Sequence, residues 1–197
     1  MNHHAKVYIA ARSKVRALKA TATLREETGN EAFFLELDLA DLASVKRAAS
    51  EFLVKESQLH ILFNNACVPS YLSLIYCTDT PIRGVMWPSV DQITKDGYDL
   101  QWGTNVVGHY YFTELLLPAL LAGVKSSPDA HARIITTSSS SAYLSTLDWD
   151  TFKDGVARRK MSTESLYNQS KFVRDCVMHS RQHSKRFHRG TSLSHAR

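Results

Sequence analysis

Ala32-Phe33-Phe34-Leu35-Glu36-Leu37-Asp38, then Leu42, Val45, Ala48, Ala49 and Phe52, then Leu59-His60-Ile61-Leu62-Phe63-Asn64-Asn65 form the stretch whose reading decides the fold. Its outer pieces are short apolar runs closed by polar residues, the signature of buried strands. Its middle places apolar residues three and four apart, the spacing of a helix with one buried side. Asp41 stands just before that helix, where a side-chain oxygen can take up the first free backbone N–H groups. Strand, helix and strand of these lengths call for two parallel strands joined by a right-handed crossover.

The same rhythm extends in both directions. Toward the N-terminus, Val7-Tyr8-Ile9-Ala10 reads as a strand, and Ser13 to Thr28 has helix-forming composition, with Val15, Leu18 and Leu24 as its apolar side and Gly29-Asn30 as its stop. Toward the C-terminus, a long helix is expected from about Tyr98 to Leu121, broken near Pro118. Arg133-Ile134-Ile135-Thr136-Thr137 is the fourth strand and opens into Ser138-Ser139-Ser140-Ser141, after which a last helix carries Tyr167 and Lys171. Residues 67–83 follow none of this. The pattern resumes at Gly84, and the aromatic and apolar content between is unusual for an exposed binding loop.

Composition narrows the class. A chain of 197 residues, 44% of them hydrophobic, supports one sizeable core. Without a long apolar run or an apolar leader after Met1-Asn2-His3-His4, a cytoplasmic protein with no transmembrane segment is expected. Cys67, Cys77 and Cys176 are odd in number and widely spaced, which suits free thiols better than a disulfide framework or a metal knuckle. His3 and His4 lack a carboxylate or thiol at ligand spacing, so no metal site is expected. The net charge of +5 is matched by Arg181, Lys185, Arg186, Arg189 and Arg197 in an acid-free tail. The rest of the chain is neutral overall, which predicts no specific nucleic-acid face.

Several residues could carry chemistry. Tyr167 and Lys171 are four apart, on one helix face, and an ammonium near a phenol lowers the phenol pKa from about 10 toward the working range of a proton donor. Such a pair is also a common surface accident. Ser139 stands at the end of a parallel strand, the edge where open α/β sheets keep their sites, although the serine run leaves the choice among Ser138, Ser139 and Ser140 open. Asn105 falls inside the long helix, where an amide is either a site residue holding a water that leads to Lys171 or a polar group on a solvated face. Asp38 and Asn64 end successive strands, placed to meet the adenosine part of a dinucleotide. Arg12 follows the first strand, where a guanidinium suits a 2′-phosphate. Each of these three also has an ordinary reading as a cap or surface group.

Taken in order, Asp38-Leu39, Asn64-Asn65-Ala66, Asn105-Val106-Val107-Gly108-His109, Arg133 to Ser139, and Tyr167-Asn168-Gln169-Ser170-Lys171 closely resemble the short-chain dehydrogenase/reductase family, nearest its retinol-dehydrogenase and WW-domain-oxidoreductase-like branch. The likeness covers about residues 6–174 apart from 67–83. It implies hydride transfer between the nicotinamide of NADP, or alternatively NAD, and a small-molecule alcohol or carbonyl substrate. In that likeness Tyr167 is the general acid/base, Lys171 lowers its pKa and holds the nicotinamide ribose, Ser139 orients the substrate oxygen and Asn105 completes a proton relay. Asp38 contacts adenine, Asn64 and Ala66 line the cofactor, and Arg12 tilts preference toward NADP. Pairing of copies through the helices flanking the fourth strand is also common in the family.

The sequence departs from that pattern in three places. Family members begin with a strand and a TGxxxGIG-like turn whose glycines let the backbone approach the pyrophosphate, whereas the first strand here matches the family's second. The expected architecture is therefore an α/β, Rossmann-type three-layer αβα parallel sheet lacking its first, central strand and its last two strands. Two interior strand edges are then left without their neighbour. An incomplete nucleotide-binding domain is expected over 1–175 and a basic, disordered tail over 176–197. Deleting residues 67–83 would rejoin Asn64-Asn65-Ala66 to Gly84-Val85, which suggests a retained intron. An inactive Rossmann-like fragment or a mispredicted gene product is the alternative to an enzyme.

Overall fold

The computed structural model describes residues 5–65 and 87–173. Expectations for His3, His4, Ala66, the three cysteines, the 67–83 stretch and the 176–197 tail lie outside the described residues.

β1 (Val7–Ala11) leads through α1 (Lys14–Thr28) to β2 (Ala32–Glu36), and α2 (Leu42–Lys55) leads on to β3 (Ile61–Asn64). Local chemistry sets these bounds. Ser13 caps α1, and Gly29 ends it in a left-handed conformation at φ 70°, its N–H donating to the Arg25 carbonyl. The Asp41 carboxylate accepts from the backbone of Ala43 and Ser44, as its position ahead of the apolar periodicity requires.

The long helix α3 spans 100–126 in three parts: an α-helical turn at Leu100–Trp102, a π-helical segment at Gly103–Gly108, and a regular helix at His109–Ser126. The expected break near Pro118 does not occur. Proline removes one N–H from the helical ladder, but Leu116, Ala119 and Leu120 are all buried on either side of it, and their packing carries the helix five residues beyond Leu121. β4 (Arg133–Thr136) follows, then two 3₁₀ turns at Ser140–Leu144 and Trp149–Thr151, the short helix α4 (Val156–Lys160), and α5 at 163–173.

The strands form two separate parallel pairs. β1 runs beside β2 with Val7 opposite Ala32, and β3 runs beside β4 with Ile61 opposite Arg133. β1 and β3 are not hydrogen-bonded to each other, so the edges do not close directly over the position of a central strand.

What joins the two pairs is the helical layer on one side. Leu35 of β2, Leu37 and Leu39 beyond it, Leu62 of β3, Val45 and Phe52 of α2, and Phe112, Leu116 and Leu120 of α3 belong to one buried cluster. The other side is thin. Only Ala17 of α1 is buried, and Val15, Leu18 and Leu24, expected as its core-facing side, are all exposed. On β3 and β4 that side leaves Ile61, Phe63 and Ile135 exposed, with Phe63 at 64%. The result is a partial Rossmann-type αβα arrangement. Among the described residues no helix is long and apolar enough to cross a membrane.

Candidate active site

Parallel strands of an open sheet point their carboxyl ends at one rim. Here that rim carries Arg12 after β1, Asp38 after β2, Asn65 after β3 and Thr137 to Ser139 after β4. Thr137 Oγ1 donates to Asn65 Oδ1 at 2.6 Å, joining the last two strand ends.

α5 brings its polar face against this rim. Tyr167 is 6% exposed and Lys171 3%, which removes the surface-accident reading of the pair. The Lys171 ammonium lies 5.5 Å from the centroid of the Tyr167 ring, and its Nζ reaches toward the Thr137 carbonyl at 3.4 Å. A buried ammonium needs polar company, and this carbonyl, exposed by the end of β4, supplies part of it. Ser139 is half-buried two residues further on and starts the Ser140–Leu144 turn by accepting from Ser141 N at 3.2 Å.

Asn105 sits in the π-helical segment of α3 and is completely buried, which excludes the solvated-face reading. Its Nδ2 donates to Ser170 Oγ at 3.0 Å, and Ser170 Oγ in turn donates to the Tyr167 carbonyl at 2.7 Å. The widened turn lets α3 come this close. Gly108, at its end, lies where an added Cβ would be 2.4 Å from the Leu39 carbonyl oxygen, so only glycine allows the approach of helix to rim.

The structure therefore draws Tyr167, Lys171 and Asn105 together and sets Ser139 on the strand end that Lys171 touches. The residues expected around the adenosine stand at the ends of β1, β2 and β3. Asp38 is half-buried, accepting from Ala40 N, while its own N–H donates to Ser44 Oγ. Asn64 is 3% exposed and turns its amide inward to Thr113 Oγ1 at 3.0 Å, fastening β3 to α3. Arg12 is exposed at the end of β1.

A family model described as short chain dehydrogenase matches residues 1–150. The chain belongs to the short-chain dehydrogenase family. A short-chain dehydrogenase/reductase of Armillaria gallica is 56% identical over 169 residues, 86% of this chain and 48% of that protein. Polyprenol dehydrogenase of Homo sapiens is 31% identical over 168 residues, 85% of this chain and 44% of that protein. The crystal structure of a metagenomic short-chain oxidoreductase in complex with NADP has a TM-score of 0.61 at 18% identity, covering 93% of this chain and 66% of that one, and shares its fold. This short-chain dehydrogenase chain spans about half the length of the curated relatives it matches.

The residue reading missed a second polar layer behind the site. Arg158, Gln101 and Gln169 are each 1% exposed or less, and Gln169 Nε2 donates to Thr151 Oγ1 at 2.8 Å. A lone arginine in a basic run gives no local signal of burial, since two of its three partners, Val90 and Asp99, are distant in sequence and the near one, Asp154, reads as an ordinary surface ion pair. The run Asp99-Leu100-Gln101, with an acid at helix-cap spacing, was the one available hint.

Proposed function

We propose that this chain carries the proton-transferring part of an NAD(P)-dependent oxidoreductase site, acting between a small-molecule alcohol and its carbonyl compound. The observation that carries the reading is the burial of Tyr167 and Lys171 together, one helical turn apart, against the end of β4 and beside the Asn105–Ser170 bond.

In this reading the Tyr167 phenol exchanges a proton with the substrate oxygen. The Lys171 ammonium favours the phenolate electrostatically and is held by the Thr137 carbonyl. Ser139 presents a hydroxyl to the same substrate oxygen, and Asn105 fixes α5 through Ser170 so that the phenol keeps its place. A bound nicotinamide would accept or supply the hydride. Lys171 is the residue suited to its ribose, and Arg12 suits a 2′-phosphate, which favours NADP over NAD. The pyrophosphate is a poorer fit. Among the described residues none of the four strands ends in a turn with the glycines that let a backbone approach phosphate.

That mismatch, with the divided sheet, favours a second reading of these residues as a fragment without turnover of its own. Calorimetric titration with NADPH and NADH separates the two. Saturable binding supports the enzyme, and absence of binding up to millimolar nucleotide supports the fragment. In nucleotide-binding protein, Tyr167→Phe should lower turnover by about 10²–10⁴-fold without loss of binding. Unchanged turnover would reject the role given to Tyr167.

A further inference from the structure

Burying a guanidinium is costly unless its forked terminal N–H groups find partners, so a deeply buried arginine whose Nη1 and Nη2 are both engaged, as here, with only Nε left without a hydrogen bond among the described residues, marks a place where segments are held in fixed relation. The Arg158 side chain of α4 is 1% exposed. Its Nη1 donates to the Val90 carbonyl and to Asp99 Oδ2 at 3.3 Å, and its Nη2 donates to Asp154 Oδ1 at 2.8 Å. One planar group thus grips the approach to α3, the residue capping α3 and the loop leading to α4.

The Asp99 carboxylate serves two purposes at once. Its Oδ1 accepts from the backbone N–H groups of Gln101 and Trp102, both at 2.9 Å, while Oδ2 faces Arg158. The backbone supports the same junction, since Asp99 N donates to the Phe152 carbonyl at 2.9 Å and Asp154 N to the Gly97 carbonyl at 3.1 Å. The first turn of α3 is therefore set by the carboxylate that Arg158 holds.

From that turn two amide side chains reach α5. Gln101 Nε2 donates to the Thr163 carbonyl at 2.7 Å, at the first residue of α5, and Asn105 Nδ2 donates to Ser170 Oγ. Residues 101 and 105 are one turn apart on α3, so a slide or rotation of α3 moves both contacts together. Tyr167 and Lys171 lie on α5 on either side of Ser170.

We propose that Arg158 is a positioning residue for the Tyr167–Lys171 pair, acting through Asp99, Gln101 and Asn105 to set α5 against α3. The functional importance of that position rests on the reading of Tyr167 given above; the positional claim rests on the contacts alone. Arg158→Met removes the fork while retaining much of the side-chain volume, and Arg158→Lys retains the charge without the fork.

The test is NMR of protein labelled with ¹³C at the tyrosine Cζ, with the Tyr167 signal assigned from Tyr167→Phe. Arg158→Met should displace the Tyr167 resonance by more than its linewidth while leaving Tyr8, on β1, in place. Arg158→Lys should displace it in the same direction by less, and it carries the test by itself if the methionine variant does not fold. An unmoved Tyr167 signal in a folded variant with a lowered thermal midpoint would make Arg158 merely structural and overturn the proposal. So would a displacement shared equally by Tyr8. A selective displacement in protein whose turnover is indifferent to Tyr167→Phe would uphold the positioning and reject the catalytic reading instead.

Discussion

Gly108→Ala tests how closely α3 must approach the rim. The added Cβ would lie 2.4 Å from the Leu39 carbonyl oxygen and 3.0 Å from Leu39 Cβ. A carbon normally meets a carbonyl oxygen at about 3.3 Å, so the helix must retreat by roughly 1 Å or the 38–40 turn must yield. Neither is free to move. Leu39 is buried in the main cluster, the Ala40 carbonyl accepts from Lys95 N at 3.0 Å, and Asp41 caps α2. Overpacking against such an obstacle costs up to about 3 kcal/mol. The better helix propensity of alanine returns about 1 kcal/mol. The net loss is about 2 kcal/mol, which for a chain of this size lowers the thermal midpoint by roughly 4–8 °C. Circular dichroism at fixed protein concentration reads it directly. A variant as stable as the parent, or more stable, would show that α3 does not press on the Leu39 turn at Gly108.

Two further changes probe the scaffold. Asp41→Ala removes the cap of α2 and the partner of Lys95 Nζ at 2.7 Å, and should cost about 1–2 kcal/mol in urea denaturation. The hydrogen bond from Lys95, aided by the backbone N–H groups of Ser44 and Ala43, holds the Asp41 carboxyl below the usual aspartate range. Its stabilising contribution is thus complete above the unfolded aspartate pKa of about 3.9 and is lost as pH falls through the lower folded value, so Asp41→Asn should flatten the acid limb of a stability–pH profile. Leu116→Ala empties a 1%-exposed position at the centre of the cluster and should cost about 2–5 kcal/mol by the same denaturation assay. A smaller loss would mean that α3 is loosely seated.

The element order was legible because its signals are local. The alternation of short apolar runs with helical spacing from Val7 to Phe63, the cap at Asp41 and the stop at Gly29 each depend on neighbours within a few residues. Burial was less legible because it depends on what lies opposite. Val15, Leu18 and Leu24 give α1 an apolar side, yet they stay exposed because among the described residues nothing covers that side of the helix. Asn105 looked ambiguous between water and core for the converse reason. Its partner Ser170 is 65 residues away. Arg158 was invisible as a structural residue, since Asp99 and Val90 lie 59 and 68 residues from it. Pro118 is a local helix breaker, and what offsets it, the burial of Leu116, Ala119 and Leu120 around it, depends on packing partners that lie elsewhere in the sequence.

The division of the sheet separates two requirements that a complete nucleotide-dependent enzyme meets together. The placement of Tyr167 and Lys171 depends on contacts among β4, α3 and α5: Lys171 with the Thr137 carbonyl, Asn105 with Ser170, and Gln101 with Thr163. None of these crosses between β1 and β3. A grip on the cofactor's phosphates, in contrast, needs a glycine-rich turn at the rim between those two strands, where the sheet is interrupted. A strand added there would meet two parallel edges already seated on a common core of α2 and α3. The contacts that set the Tyr167 ring are therefore separate from the strand edges where a phosphate grip would lie, and a failure to bind nucleotide is not evidence that the ring has lost its place.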